Sequence, residues 1–343
     1  MNALPQNTAW SIDEHQLDPN ADVEEKLRFA LRYAVLAPSN HNTQPWHFIV
    51  DGDCVTLCAD RMRALPVVDP FDRELIISCG AALFNLRVAL SRFGLAYAIT
   101  LFPSPADVDV LAHLRILRDG HCDASLAPLF DAMPRRVTTR ETFVDEPIPV
   151  ELQLRLEEAG AAEGADIVCA GNTVIRERLA TLIAEADQAQ FQDPRFRREL
   201  ASWIHPKRGQ DGMPAFSPGM RVLLDLAVPL VGSVIRTFDL GGGMAAAHHT
   251  LAAGSPLLLC IATGADDAVA WLVAGQALER VLLTATDEGI TASYLNQPIE
   301  VASLRDTLRA ALNLDGVPQL LLRIGRGRQA AHSRRRPLAE VVS

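Results

Sequence analysis

The chain has 343 residues, 49% of them hydrophobic, enough to bury one large core or two ordinary ones. A net charge of −10 and a sequence pI of about 5.4 argue against a nucleic-acid or anionic-membrane partner. Six cysteines without a CxxC pair fit a reduced, cytoplasmic setting better than a disulfide or zinc framework.

Residues 1–21 mix acids and prolines without an apolar core, so an irregular arm is expected rather than a signal peptide. Val23 to Leu36 places Val23, Leu27, Ala30, Leu31 and Ala34 on one helical stripe, and Pro38 should stop that helix. Between Pro38 and Pro45 lie six residues dense in amide and hydroxyl groups, Ser39 to Gln44. A polar loop held stiffly between a helix and a strand suits a planar, hydrogen-bond-rich ligand. Trp46–Val50 and Val55–Ala59 read as strands around Asp51-Gly52-Asp53, a hairpin signal. A long apolar helix, Asp72 to Phe93, closes at Gly94, and Leu95–Phe102 and Leu111–Arg118 read as strands.

A polar connector, Asp119 to Pro134, leads to a second run with the same order. The stretch from Asp72 to Pro103 aligns without a gap to that from Asp267 to Pro298, at a constant offset of 195. Asp72/Asp267, Gly80/Gly275, Ala82/Ala277, Leu83/Leu278, Gly94/Gly289 and Pro103/Pro298 are identical pairs. Two unrelated amphipathic helices could align this way, but the echo of Leu114-Arg115-Ile116 in Leu322-Arg323-Ile324 favours duplication. Helix Ile148–Ala159 and strand Asp166–Ala170 likewise echo the first helix and strand. The second run carries an insert, about 172–250, read either as a lid or as a surface decoration. Within it Val174–Gln190 reads as helix, His205–Pro218 as loop, and Leu240-Gly241-Gly242-Gly243-Met244 as a flexible hinge or turn. Leu251 to Thr263 is apolar but interrupted by Gly254 and Pro256, and too short to span a bilayer. His248 and His249 are adjacent, which is not metal-ligand spacing, and no metal site is expected.

The stretch from Pro38 to Trp46 resembles the helix-loop-strand signature of the flavin-dependent nitroreductase superfamily. The strings ISCGAALFNLRVAL and AGQALERVLLTATDEGITASYLNQP are similar to its Acg-type, FMN-binding branch. The resemblance spans about residues 22–342. It implies an α+β, nitroreductase-like fold: two tandem degenerate repeats forming an intramolecular pseudo-dimer, with antiparallel or mixed central sheets flanked by helices. The expected division is an arm (1–21), a first half (22–125) and a second half (126–343) carrying the insert.

Members of the superfamily are usually homodimers that hold FMN between subunits. The polar loop of one faces an Arg-x-Ser/Thr-x-Arg stretch and a basic C-terminal segment of the other. Here Pro38, Ser39, Asn40, Asn42 and Gln44 supply the loop. Arg136, Thr138 and Arg140 match the second pattern, and Arg335 and Arg336 are the chosen members of the basic tail. Each half lacks the part that the other keeps, so a single composite FMN site is expected. On an extended segment alternate residues point the same way, so Arg136, Thr138 and Arg140 should converge on one phosphate. By resemblance Asn296 and Gln297 contact the N5 edge of the flavin, although no obvious acid stands where some members place one. No side chain is expected to be catalytic, because the flavin would carry electrons from NAD(P)H to a small electrophilic acceptor in ping-pong fashion. The alternative is a protein that binds and stores FMN without turnover. A fused chain of this kind could act as a monomer.

Overall fold

The computed structural model of the chain describes residues 8–205, 210–214, 228–328 and 330–343. The first half contains α1 (Val23–Ala34), β1 (Trp46–Asp51), β2 (Cys54–Ala59), α2 (Arg73–Arg92), β3 (Tyr97–Leu101) and β4 (Val110–Ile116). Asp22 caps α1 by accepting the Glu25 amide at 2.8 Å, and Leu27, Ala30, Leu31 and Ala34 face inward. Gly52, at φ +56°, makes the tight turn that pairs Asp51 with Cys54. The α2 helix ends in Gly94 at φ +71°, which lets the Leu95 amide reach back to the Leu90 carbonyl at 2.9 Å. The strands form an antiparallel sheet in the order β1-β2-β4-β3.

In the second half the order runs α3 (Val150–Ala161), β5 (Asp166–Ala170), α4 (Thr173–Gln192), α5 (Pro194–Ser202), β6 (Ile204–His205), β7 (Met213–Pro214), α6 (Val228–Thr237) and α7 (Gly241–Ala253). It continues with β8 (Leu257–Thr263), α8 (Ala268–Asp287), β9 (Thr291–Tyr294), α9 (Gln297–Glu300), α10 (Ala302–Ala311), β10 (Val317–Gly325) and α11 (Leu338–Val341). Its antiparallel sheet, β5-β8-β10-β9, matches the first strand for strand. The register matches too: Leu114 faces Ile99 in one sheet and Leu322 faces Tyr294 in the other, so the echoed triplets occupy equivalent places.

The halves meet where α2 crosses α8. A Cβ on Gly80 would overlap the Leu272 carbonyl, and one on Gly275 would overlap the Ile77 carbonyl and lie 2.9 Å from the Gly80 Cα. Ile77 and Leu272 are themselves one repeat apart, so the contact is reciprocal, as in an interface between two like units. The absence of side chains at both glycines is what lets the backbones touch. Both helices are long and apolar enough to cross a bilayer, yet 94% and 67% of their apolar windows are buried in this fold. Each is apolar on most sides because protein surrounds it.

The insertion between β5 and β8 extends from residue 171 to 256, beyond the expected 172–250, because α7 continues to Ala253. A second insertion, α9 and α10, separates β9 from β10 and was not anticipated. The expected hinge at 240–244 is instead the first turn of α7. Asp239 accepts the Gly241 amide at 2.8 Å, and a Cβ on Gly241 would come within 3.0 Å of Phe191 Cβ. Gly241 serves close packing against α4, while Gly242 and Gly243 have nothing within 4 Å of an added Cβ. Within the expected 205–218 loop, β6 and β7 pair in parallel, while 206–209 and 215–218 lie outside the described residues. Phe191, Phe196 and Trp203 of the insert pack with Leu65 and Val68, so this part of the second half reaches across to the first.

Candidate functional site

The loop after α1 carries an unusual backbone. His41, Asn42 and Gln44 have φ of 48°, 57° and 54°. Outside glycine this region is disfavoured, at roughly 1 kcal/mol or more per residue. Asn and His tolerate it better than most, but Gln has no such preference, and three such residues in four need surroundings that impose the shape. They do so from three sides. Within the first half, Ser39 Oγ accepts the Gln44 amide at 2.9 Å and Arg63 donates to the Thr43 carbonyl at 2.8 Å. From the insert, the Gln210 carbonyl accepts from Gln44 Nε2 at 2.9 Å and the Gly212 carbonyl accepts from Asn42 Nδ2 at 3.1 Å.

The third side is the second half. Arg335 is buried and donates to the carbonyls of Val35, Leu36 and Ala37 and to Asn42 Oδ1, at 2.8 to 3.0 Å. These carbonyls lie just past the end of α1, where no further helical turn supplies amides, and the guanidinium fork satisfies them together. Burial and the neighbouring Arg136 draw its pKa down to about 9. The Arg336 amide donates to Gln44 Oε1 at 2.8 Å. Trp10 of the arm stacks on His332, 4.0 Å between centroids, and covers Arg335. Beyond them the chain ends against β1, where the Ser343 amide donates to the Phe48 carbonyl and the Val50 amide donates to the Ser343 carbonyl, both at 2.9 Å.

Arg136, Thr138 and Arg140 come to the same seam but do not converge as alternate residues of a straight strand would. Arg136 turns inward, donating to the Leu36 carbonyl at 2.9 Å, with its Nε 3.4 Å from Glu279. Thr138 forms an isolated parallel bridge with Ala292 of β9. Arg140 keeps accessible surface, and desolvation lowers its pKa. It faces His41, whose pKa burial and this positive charge push down to about 4. The expected site residues therefore gather at one seam. Arg136 and Arg335 are engaged by the protein itself, while Arg140 stays exposed.

A residue that the sequence did not single out ties the seam together. Glu74, buried in the first turn of α2, accepts from Asn40 Nδ2 of the loop and, at 3.3 Å, from Asn296 Nδ2 of the other half. Arg73 pairs with it at 2.6 Å. Its only sequence signal is a charged Arg-Glu pair opening a helix that is otherwise apolar. The equivalent residue one repeat later is Val269, so the acid belongs to one half alone. Burial and nearby Glu300 hold Glu74 well above the usual carboxylate range. Burial likewise raises Glu279 and Glu300 to about 7.

At such groups the folded chain keeps a proton that the unfolded chain has already released. Stability should therefore decline as pH rises from the ordinary carboxylate range to about 7. Glu300→Gln is expected to flatten that decline, read as urea midpoints between about pH 5 and 8. An unchanged slope would mean that Glu300 ionises as readily in the fold as outside it.

Several buried polar atoms around the seam have no hydrogen-bond partner among the described residues, including His41 Nδ1, Thr139 Oγ1 and Gln297 Oε1. Such orphans are rare in a finished core and mark a place for a polar ligand or water. An open groove of about 550 Å³ elsewhere is lined by Glu157, Glu158, Asp166 and Asp315 without an arginine, and suits an anionic ligand poorly.

A model of the nitroreductase family matches residues 134–326. "Putative NAD(P)H nitroreductase Rv3131" of Mycobacterium tuberculosis is 34% identical over 305 residues, covering 88% of this chain and 85% of that protein. "Putative NAD(P)H nitroreductase acg" of the same organism is 27% identical over 326 residues, covering 92% and 94%. The crystal structure of the FMN-dependent nitroreductase NfnB from Mycobacterium smegmatis in complex with NADPH aligns with a TM-score of 0.40 and 16% identity, covering 63% of this chain and 97% of that one. With the family model covering more than half its length and a relative above 30% identity along most of it, this chain belongs to the nitroreductase family.

Proposed function

We propose that the chain is an FMN-dependent oxidoreductase built as an internal pseudo-dimer with a single composite site. It would reduce a nitroaromatic, a quinone or a similar electrophile with NAD(P)H in a ping-pong cycle. The observation that carries this reading is the crossing at the seam, where the strained loop of one half is held by Arg136, Arg335 and Arg336 of the other. Bound FMN would supply the redox chemistry, taking hydride from the nicotinamide and handing it to the acceptor. Arg140, whose charge acts on His41, would offer a guanidinium fork to a phosphomonoester dianion. Asn40 and Gln297 would offer amides to the edges of a planar ring, with Pro38 and Ser39 shaping the wall, while Asn296, held by Glu74 and the Leu321 amide, would position its neighbour Gln297. The segment 210–214 shields the loop from water.

That shielding favours a second reading, in which the same pocket holds FMN without turnover. Anaerobic mixing of purified holoprotein with NADPH separates the two. Bleaching of the visible flavin band at a single flavin per chain supports the enzyme. A band that resists NADPH but bleaches with dithionite supports storage, and two flavins per chain would sink the composite site. Arg140→Glu is expected to weaken FMN binding by roughly 10- to 100-fold, the loss of one charge-assisted contact, in a fluorescence titration. Wild-type affinity in that variant would remove Arg140 from the site.

A further inference from the structure

Helices α4 and α7 of the insert bring Asp187 and His248 together, His248 Nδ1 lying 2.8 Å from Asp187 Oδ2. The Asp187 side chain is 2% exposed and that of His248 22%. Gln297 completes the group, its Nε2 3.3 Å from Asp187 Oδ1 and 3.1 Å from His248 Nδ1. Three observations distinguish this group from a simple pin between helices. Gln297 follows Asn296, which shares the Glu74 carboxylate with Asn40, so the pair stands beside the seam. Gln297 Oε1 is buried without a partner. His248 uses only Nδ1 among the described residues, and its Nε2 is not among the buried orphans, so that nitrogen is open. A buried carboxylate that holds one ring nitrogen aims the other, a common arrangement for moving protons. The neighbouring His249 instead pairs with exposed Glu177.

We propose that His248 donates the proton that the acceptor takes up with hydride, with Asp187 and Gln297 as positioning residues. This rests on the flavin reading above. Reduction of a quinone to a hydroquinone consumes two electrons and two protons. The hydride that leaves NAD(P)H and passes through the cofactor brings both electrons and one proton. The second proton leaves Nε2 of the His248 imidazolium for the quinone oxygen, and the neutral ring regains one from solvent. The charged groups around the pair are Asp187 from α4, Glu300 from α9, which acts electrostatically with Asp187, and Glu177 beside His249.

The test is stopped-flow mixing of the FMN-loaded full chain, first with NADPH and then with 1,4-benzoquinone, across a pH series. His248→Gln is expected to be reduced by NADPH within about twofold of wild type but reoxidised about 100-fold more slowly, without the alkaline decline of the wild-type profile. Asp187→Asn, which keeps the ring but not its orientation, should fall between them. A readout independent of turnover is the binding of 4-cyanophenol to the oxidised holoprotein, followed by visible absorption. Loss of the donor at Nε2 should weaken it at least about tenfold. Reoxidation of His248→Gln at the wild-type rate, or an equal slowing of both half-reactions with unchanged phenol binding, overturns the proposal. A wild-type chain that binds no flavin, or is not bleached by NADPH, overturns the flavin reading and this one with it.

Discussion

Gly275→Ala is expected to lower the melting temperature by roughly 4 °C. The added Cβ would overlap the Ile77 carbonyl and sit 2.9 Å from the Gly80 Cα. Neither is the end of a flexible side chain, so the two central helices must move apart. Because α2 and α8 carry both cores, that separation loosens the whole seam. An overpacked core site costs about 1–3 kcal/mol, and backbone against backbone lies at or above the upper end. Gly80→Ala should behave alike, and the double variant should lose less than the sum, since helices already parted by one methyl make room for its mate. Gly52→Ala is the control: at φ +56° with nothing within 4 Å of the new atom, it should show only the modest strain of a turn. Differential scanning calorimetry decides the matter, and a shift below about 2 °C for Gly275→Ala would refute the close crossing.

Arg335→Ala is expected to cost about 3–5 kcal/mol and to abolish flavin retention. The side chain satisfies three buried carbonyls at the end of α1 and the amide oxygen of Asn42. Leu36 keeps its bond from Arg136, but the Val35 and Ala37 carbonyls and Asn42 Oδ1 lose this donor, at about 1–3 kcal/mol for each left unsatisfied. The strained loop also loses the contact that fixes Asn42 at φ 57°, so the left-handed turns should relax. Arg335→Lys should recover little, because a point ammonium cannot serve several acceptors as a planar fork does. Hydrogen exchange of residues 38–45 together with flavin content makes the check. A variant with wild-type protection and full flavin would show that Arg335 is an ordinary tail residue.

Part of the fold could be read one stretch at a time. Pro38 after an amphipathic stripe announces the end of α1, and Asp-Gly-Asp between alternating runs announces a hairpin. The constant offset of 195 announces that α8 repeats α2. The triple glycine at 241–243 shows where this kind of reading fails. A run that would be flexible in isolation is helical here because Asp239 caps it and Phe191 packs against it. Local preference for turns was outweighed by the close approach of α4.

The candidate site divides the same way. The residue types in the 38–44 loop and the arginines of 136–140 and 335–336 stand out by composition, since proline, amides and clustered cations are local signals. Their actual duties do not. Arg335 resembles any member of a basic terminus until it meets carbonyls 300 positions away. Glu74 passes for a helix-opening charge until Asn296, 222 positions on, shares it. His248 looks like one of two adjacent histidines until the α4–α7 packing sets Asp187 beside its ring.

Chain order thus dictated which elements form and that they form twice, because periodicity, caps and prolines act within a few residues. The choice of partner for each buried charge was left to the packed molecule, because desolvation penalises an unpaired group only once distant segments have closed over it.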